Sequence, residues 1–379
     1  RILNDATLAG ITVSVAAGND GPDNDGLSGM GSSSLSITVG ATDDGDTVNR
    51  DDDTIASYSS RGPRRDNGDG NPINEMKPDV TAPGTDIVQA EACVTTGGCN
   101  NFLGGDAANN GYTGRGSGTS YATPAVSGVV ALMIEVNPEL EPLAIREILR
   151  NTATRMGPAS QPEHDQYWNK DFGWGLVNAH DAVFTSHYLD EIGMNTSDMN
   201  LDLQVHIDNI TEGNDGMNTY TGLAWSRGKV LENIEFSIDD GETWTEVVYE
   251  SHNGSLTTYE AFQFQFSVNV KTLPEGYNMI MVRGIDSEGA SSMIGWDSVE
   301  GGGQMEIMGD ASSLGRILFI SVVGLAIAAF GVWVFINQRV EDPFSLVLND
   351  VAVQGVAEVS GEEPLEAIII EDDSDFTVS

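Results

Sequence analysis

The heptapeptide Gly-Thr-Ser-Tyr-Ala-Thr-Pro at 118–124 puts a hydroxyl, that of Ser120, at the head of a long apolar stretch, Ala122 to Val136. The stretch reads as a helix, so Ser120 lies at or near an amino end. Free backbone N–H groups and the helix dipole favour negative charge there. A serine in that place either caps the helix or acts as a nucleophile. Glycines at 114, 116 and 118 permit close approach of a substrate. Position 122 is Ala, so the Gly-x-Ser-x-Gly pattern of lipases and esterases is not met. A nucleophilic serine needs a base, and all five histidines (His164, His180, His187, His206, His252) follow Ser120. A second polar group, Asn19, ends the apolar, β-branched run Ile11 to Ala17. That run suits a strand buried on both faces of a parallel sheet. Asn19 then sits at the strand's carboxyl end, where open α/β sheets build their sites. Taken alone, Gly18-Asn19-Asp20-Gly21 also reads as a plain tight turn.

The elements around these residues are legible in outline. The Ala122–Val136 helix has small residues at Ala122, Ala125, Ser127 and Gly128 and lacks a polar face, which makes it central. A second helix is expected at about 142–154. Ile145, Ile148, Leu149 and Thr152 fall on one face and Arg146, Glu147 and Arg150 on the other, a scaffold rather than a site. Cys93 and Cys99 are the only cysteines and flank a loop able to turn back. Outside the cytosol they would pair; two free thiols or half of a metal site are the alternatives. Acidic loops run Asp20 to Asp25, Asp43 to Asp53 and Asp66 to Asp69. Their carboxylates can hold structural calcium, although none has the EF-hand spacing. A solvated acidic surface is the plainer reading.

Several segments together resemble the subtilisin-like serine proteases (subtilases, peptidase family S8). Ile11 to Pro22 is similar to the strand ending at the oxyanion-hole asparagine, and residues 118–124 to the nucleophile segment. Ile55-Ala-Ser-Tyr-Ser-Ser-Arg-Gly-Pro63, Lys77-Pro-Asp-Val-Thr-Ala-Pro-Gly84 and Phe172-Gly-Trp-Gly-Leu-Val-Asn-Ala179 resemble further family segments, in family order. The resemblance implies Ser120 as nucleophile, Asn19 as oxyanion donor, a protein or peptide substrate and no required cofactor. It covers roughly the C-terminal half of a catalytic domain. In this family the triad runs Asp, His, Ser along the chain, so the acid and base are expected upstream of Arg1. Arg1 itself reads as the middle of a helix, as in a chain that begins partway through a larger protease. The upstream half of the domain is then a required partner, and residues 1–379 alone should be nearly inert. Ala125 stands where many members carry a second, non-triad histidine.

The expected fold class is α/β: a partial subtilisin-like parallel sheet with packed helices over 1–186. A linker at 187–200, an all-β immunoglobulin-like sandwich at 201–300 and a Gly-rich linker at 301–316 follow. A transmembrane helix at 317–336 and an acidic, disordered tail at 337–379 complete the chain. The sandwich rests on alternation at Ile234, Phe236, Ile238 and at Phe262, Phe264, Phe266, Val268. It also rests on turns at Asp240-Gly241, Asn253-Gly254 and Pro274-Glu275-Gly276, and on core payloads from Trp225, Trp244 and Trp296. Its role is a spacer or, alternatively, a glycan- or substrate-binding module. Sequons begin at Asn195, Asn209 and Asn253. Ile317 to Ile336 carries no charge over a bilayer's span, and the resemblance and cysteine pair put residues 1–310 outside the cell. A net charge of −41 excludes a nucleic-acid partner. With so little lysine it suits a salt-rich environment. A second function stays open: a non-catalytic, membrane-anchored surface protein built on a degenerate protease fold.

Overall fold

A short parallel sheet carries the amino-terminal part of the chain in this computed structural model, which describes residues 1–23, 27, 29–90, 112–228, 230–247, 258–273 and 277–300. These residues lie in the compact unit Arg1–Gly303. Helix α1 (Ile2–Leu8) leads to β1 (Ser14–Ala16), and β2 (Ile37–Asp43) takes the centre of the sheet. β3 (Thr54–Ile55) pairs antiparallel with the end of β2, and β4 (Val80–Pro83) runs parallel to β2 on the side opposite β1. β5 (Ile87–Ala90) and β6 (Tyr112–Gly116) form a separate antiparallel ribbon. β2 is buried along nearly its whole length. Its Ile37, Val39 and Ala41 join a core with Val126, Val129, Val130 and Met133 of helix α2 (Thr119–Val136). Two further helices follow: α3 (Pro142–Thr152) and α4 (Ala179–Glu191), whose N-cap is the Asn178 side chain. Residues 172–179 close this layer, with Val177 donating its N–H to the Thr81 carbonyl of β4.

Two expectations change. The strand foreseen over 11–17 shortens to Ser14–Ala16 and lies at the sheet's edge; Ile11, before it, is 57% exposed. α2 is apolar all round but buried on one face only, with Leu132 and Ile134 exposed on the other. By length and composition α2 could cross a membrane, yet its packed face lies on β1, β2, β4 and α4 as a core helix does. On α3 the charged face is packed as well as the apolar one: Glu147 and Arg150 are buried like Ile145 and Ile148. The stretch 187–200 holds the end of α4 and a short 3₁₀ turn at Thr196–Asp198.

Residues 203–300 form two antiparallel sheets. β7 (Leu203–Thr211), β8 (Met217–Ser226) and β11 (Phe262–Asn269) make one, in the order β11-β8-β7. β9 (Leu231–Ser237), β10 (Thr245–Glu246), β12 (Tyr277–Asp286) and β13 (Gly295–Glu300) make the other, in the order β10-β9-β12-β13. The alternation read at 262–268 holds: Phe262, Phe264, Phe266 and Val268 all point into one cluster with Leu203, Ile234, Ile280 and Val282. Asp240 and Gly241 both have positive φ, in a turn within the seven-residue connection from β9 to β10. The tryptophans depart from expectation. Trp225 stacks on His206 beside Tyr167. Trp244 and Trp296 pack against the core of the amino-terminal layer, together with buried Met279 and Met281. β12 is therefore buried on both faces: Ile280 and Val282 face the β core, and Met279 and Met281 face the helices. Cys93, Cys99, Asp25, His252, Asn253-Gly254, Pro274 to Gly276 and the expected segments 301–316, 317–336 and 337–379 lie outside the described residues.

Candidate active site

Two loops meet above the sheet. The first leaves the carboxyl end of β1 through Gly18, Asn19 and Asp20. The second runs from β6 through Ser117 and Gly118 into α2. Asn19 Oδ1 accepts the Thr119 N–H at 2.8 Å and the Thr119 hydroxyl at 2.9 Å, and Thr119 Oγ1 in turn accepts the Gly18 N–H at 3.2 Å. With its oxygen committed, the carboxamide's orientation is fixed. Its Nδ2, a two-proton donor, has no partner among the described residues. Ser120, next after Thr119, is exposed, with its hydroxyl and first-turn N–H unpaired among the described residues. The structure thus brings together both residues singled out in the sequence, through Thr119, which the sequence did not mark as an orienting group.

Backbone conformation makes this approach feasible. Gly118 has φ +154°, and a Cβ there would lie 3.1 Å from Asn19 Nδ2. Any larger residue would push the donor away. Gly84, just after β4, accepts the Gly118 N–H at 2.9 Å, and a Cβ on it would come within 2.9 Å of the Gly118 carbonyl. The Ile55–Pro63 segment buttresses both loops. Ser60 donates its N–H to the Gly18 carbonyl, its Oγ accepts the Asp20 N–H, and the Tyr58 hydroxyl donates to the Gly84 carbonyl at 2.7 Å. Burial pushes the Tyr58 phenol above its ordinary range, so it stays a donor at neutral pH.

A serine hydroxyl beside two donors can attack a carbonyl and stabilise the resulting oxyanion once a base takes the proton. No described histidine supplies that base. His180 pairs with Asp181 at 2.7 Å, His187 lies 3.9 Å from Glu191, His164 meets the Tyr259 ring, and buried His206 stacks on Trp225. Among the described residues no three acidic, His or Cys groups gather as a metal site. In the acidic loops Asp43, Asp44, Asp66 and Asp69 accept backbone N–H groups two residues on.

Residues 1–175 match the Subtilase family model, Peptidase_S8. The serine protease AprX of Bacillus subtilis (strain 168) is 37% identical over 186 residues, covering 48% of this chain and 37% of that protein. The subtilisin-like protease SBT3.15 of Arabidopsis thaliana is 37% identical over 137 residues, covering 34% of this chain and 16% of the relative. Among solved structures, sphericase aligns over 46% of this chain and 50% of its own, at 26% identity and a TM-score of 0.34. The chain thus spans half or less of each of these relatives. The subtilase match includes Asn19, Tyr58, Gly84 and Ser120, the residues that the geometry draws together.

Proposed function

We propose that the protein is a subtilisin-like serine endopeptidase, with Ser120 as nucleophile and with Asn19 Nδ2 and the Ser120 N–H as the oxyanion donors. The observation that carries the reading is the double hydrogen bond from Thr119 that turns the Asn19 amide toward the Ser120 turn. In the complete site Ser120 Oγ attacks the peptide carbonyl and an upstream histidine accepts its proton. An upstream aspartate holds the imidazolium, and the same histidine returns the proton to the leaving amine. The uncovered side of β1 and the exposed apolar face of α2 support an upstream half that completes this layer. We also propose that residues 201–300 form an immunoglobulin-like module and that residues 317–336 anchor the protein with 1–310 extracellular.

The runner-up reading, a non-catalytic surface protein, is favoured only by the lack of a described histidine near Ser120. A fluorophosphonate separates the two. The full-length protein should form an adduct on Ser120 that Ser120→Ala abolishes, while residues 1–379 alone should form none. A full-length protein that carries upstream Asp and His motifs but takes no label would favour the binding protein.

A further inference from the structure

A single arginine crosses from the β layer into the subtilase-matching segment. Arg227 leaves the turn after β8 with its side chain 2% exposed. Its Nη2 and Nε reach Asp165 Oδ2 at 2.6 and 3.2 Å, and its Nη1 reaches Glu147 Oε2 at 2.9 Å. The other oxygen of Glu147 takes Arg150 at 2.6 Å. Arg150 grips Asp79 Oδ1 through Nε at 2.9 Å and Nη2 at 2.5 Å. Asp79 Oδ2 accepts from Lys77 and from the Thr38 N–H of β2, both at 2.6 Å. The Trp174 ring lies 3.9 Å from the Arg150 guanidinium and 5.4 Å from that of Arg227.

The arrangement is one-sided. Asp165 is fully buried, and its Oδ1 is used by the N–H groups of Tyr167 and Trp168. Its Oδ2 takes only Arg227 among the described residues. Without Arg227 a buried carboxylate is left without a cation, and breaking such a pair is far more costly than never having built it. Other contacts cross at the same seam. The Tyr188 hydroxyl on α4 reaches Asp240 at 2.6 Å, Trp296 Nε1 donates to Thr185 at 2.8 Å, and Met279 and Met281 of β12 enter the helical core. A spacer would meet its neighbour through a small, polar, solvated contact.

We infer that the 203–300 layer is an obligatory folding partner of the subtilase-matching segment, with Arg227 as the countercharge that closes that segment's buried acid network. The assignment does not depend on catalysis. It is tested on the full-length protein by hydrogen exchange, resolved by segment, in the wild type, Arg227→Met and Arg227→Met/Asp165→Asn. In Arg227→Met, protection should fall together in β8, α3 and β4. Loss confined to β8 and β9, with α3 and β4 exchanging as in the wild type, would overturn the inference. If Arg227→Met does not fold, the double variant decides. Removing the stranded carboxylate charge should restore folding and much of the protection. A double variant no better than the single one would show that Arg227 is not serving as that countercharge.

Discussion

The Ser120 turn and the Asp79–Arg150–Glu147–Arg227 network lie in one compact unit and follow opposite rules. At the turn, Ser120 is exposed with its hydroxyl and N–H uncommitted among the described residues, and Asn19 keeps a donor free of them. In the network every carboxylate oxygen takes at least one donor and every charge is buried. Open hydrogen-bonding capacity held in fixed orientation marks a place for a ligand. Closed capacity at full burial marks a fastening. Mutations should separate the two: at the turn they should change rate and spare stability, and in the network the reverse.

The largest effect on stability should come from the network. Asp79→Asn removes the charge that holds Lys77 and Arg150 and should destabilise the protein by about 3–5 kcal/mol. Denaturant unfolding of the full-length protein measures it, and a loss under 1 kcal/mol would mean that the cations find other partners. The turn comes next. Asn19→Ala should lower kcat by roughly 10²–10³, the usual size for a lost oxyanion donor and one measured in subtilisin itself. KM and the unfolding midpoint should hardly move, and an unchanged kcat would remove Asn19 from the hole.

Acid should act on the network before the turn. Burial alone would raise the Asp79 and Glu147 carboxyls, but adjacent cations outweigh it: Lys77 and Arg150 for Asp79, Arg150 and Arg227 for Glu147. Both are held down to about 2. A depressed folded-state pKa gives stability that is present above the unfolded value and lost as pH falls through the folded one. Unfolding free energy should therefore decline between about pH 4.5 and pH 2, and less steeply in Asp79→Asn. A flat profile over that window would contradict the pairing. The smallest effect belongs to Thr119→Ala, which removes one of the two bonds orienting Asn19 and should cost roughly 5- to 10-fold in kcat. A loss as large as that of Asn19→Ala would mean that Thr119 does more than orient.

The comparison also explains what could be read from the sequence. Asn19 and Ser120 were legible because each sits in a local motif at the end of an element, and the motifs occur in a fixed order. The β11 alternation and the Asp240-Gly241 turn were legible for the same reason: period and turn chemistry are local. The network was not. Arg146, Glu147 and Arg150 on α3 look like any solvated helix face, and Asp165 and Arg227 are 62 residues apart. Their burial depends on which surface meets which. The double role of β12 was not legible either, since which core Met279 and Met281 join depends on the surface that meets them. The edge position of β1 and the open face of α2 were hidden because an apolar run reports that a surface wants cover, not whether cover is present.

The central claim is that Ser120 is a nucleophile, and peptide hydrolysis by the full-length protein with and without Ser120→Ala tests it most directly. The account predicts that turnover falls by about 10⁶ while the unfolding midpoint stays at the wild-type value, because the Ser120 side chain is exposed. Hydrolysis surviving in a folded Ser120→Ala protein would contradict it.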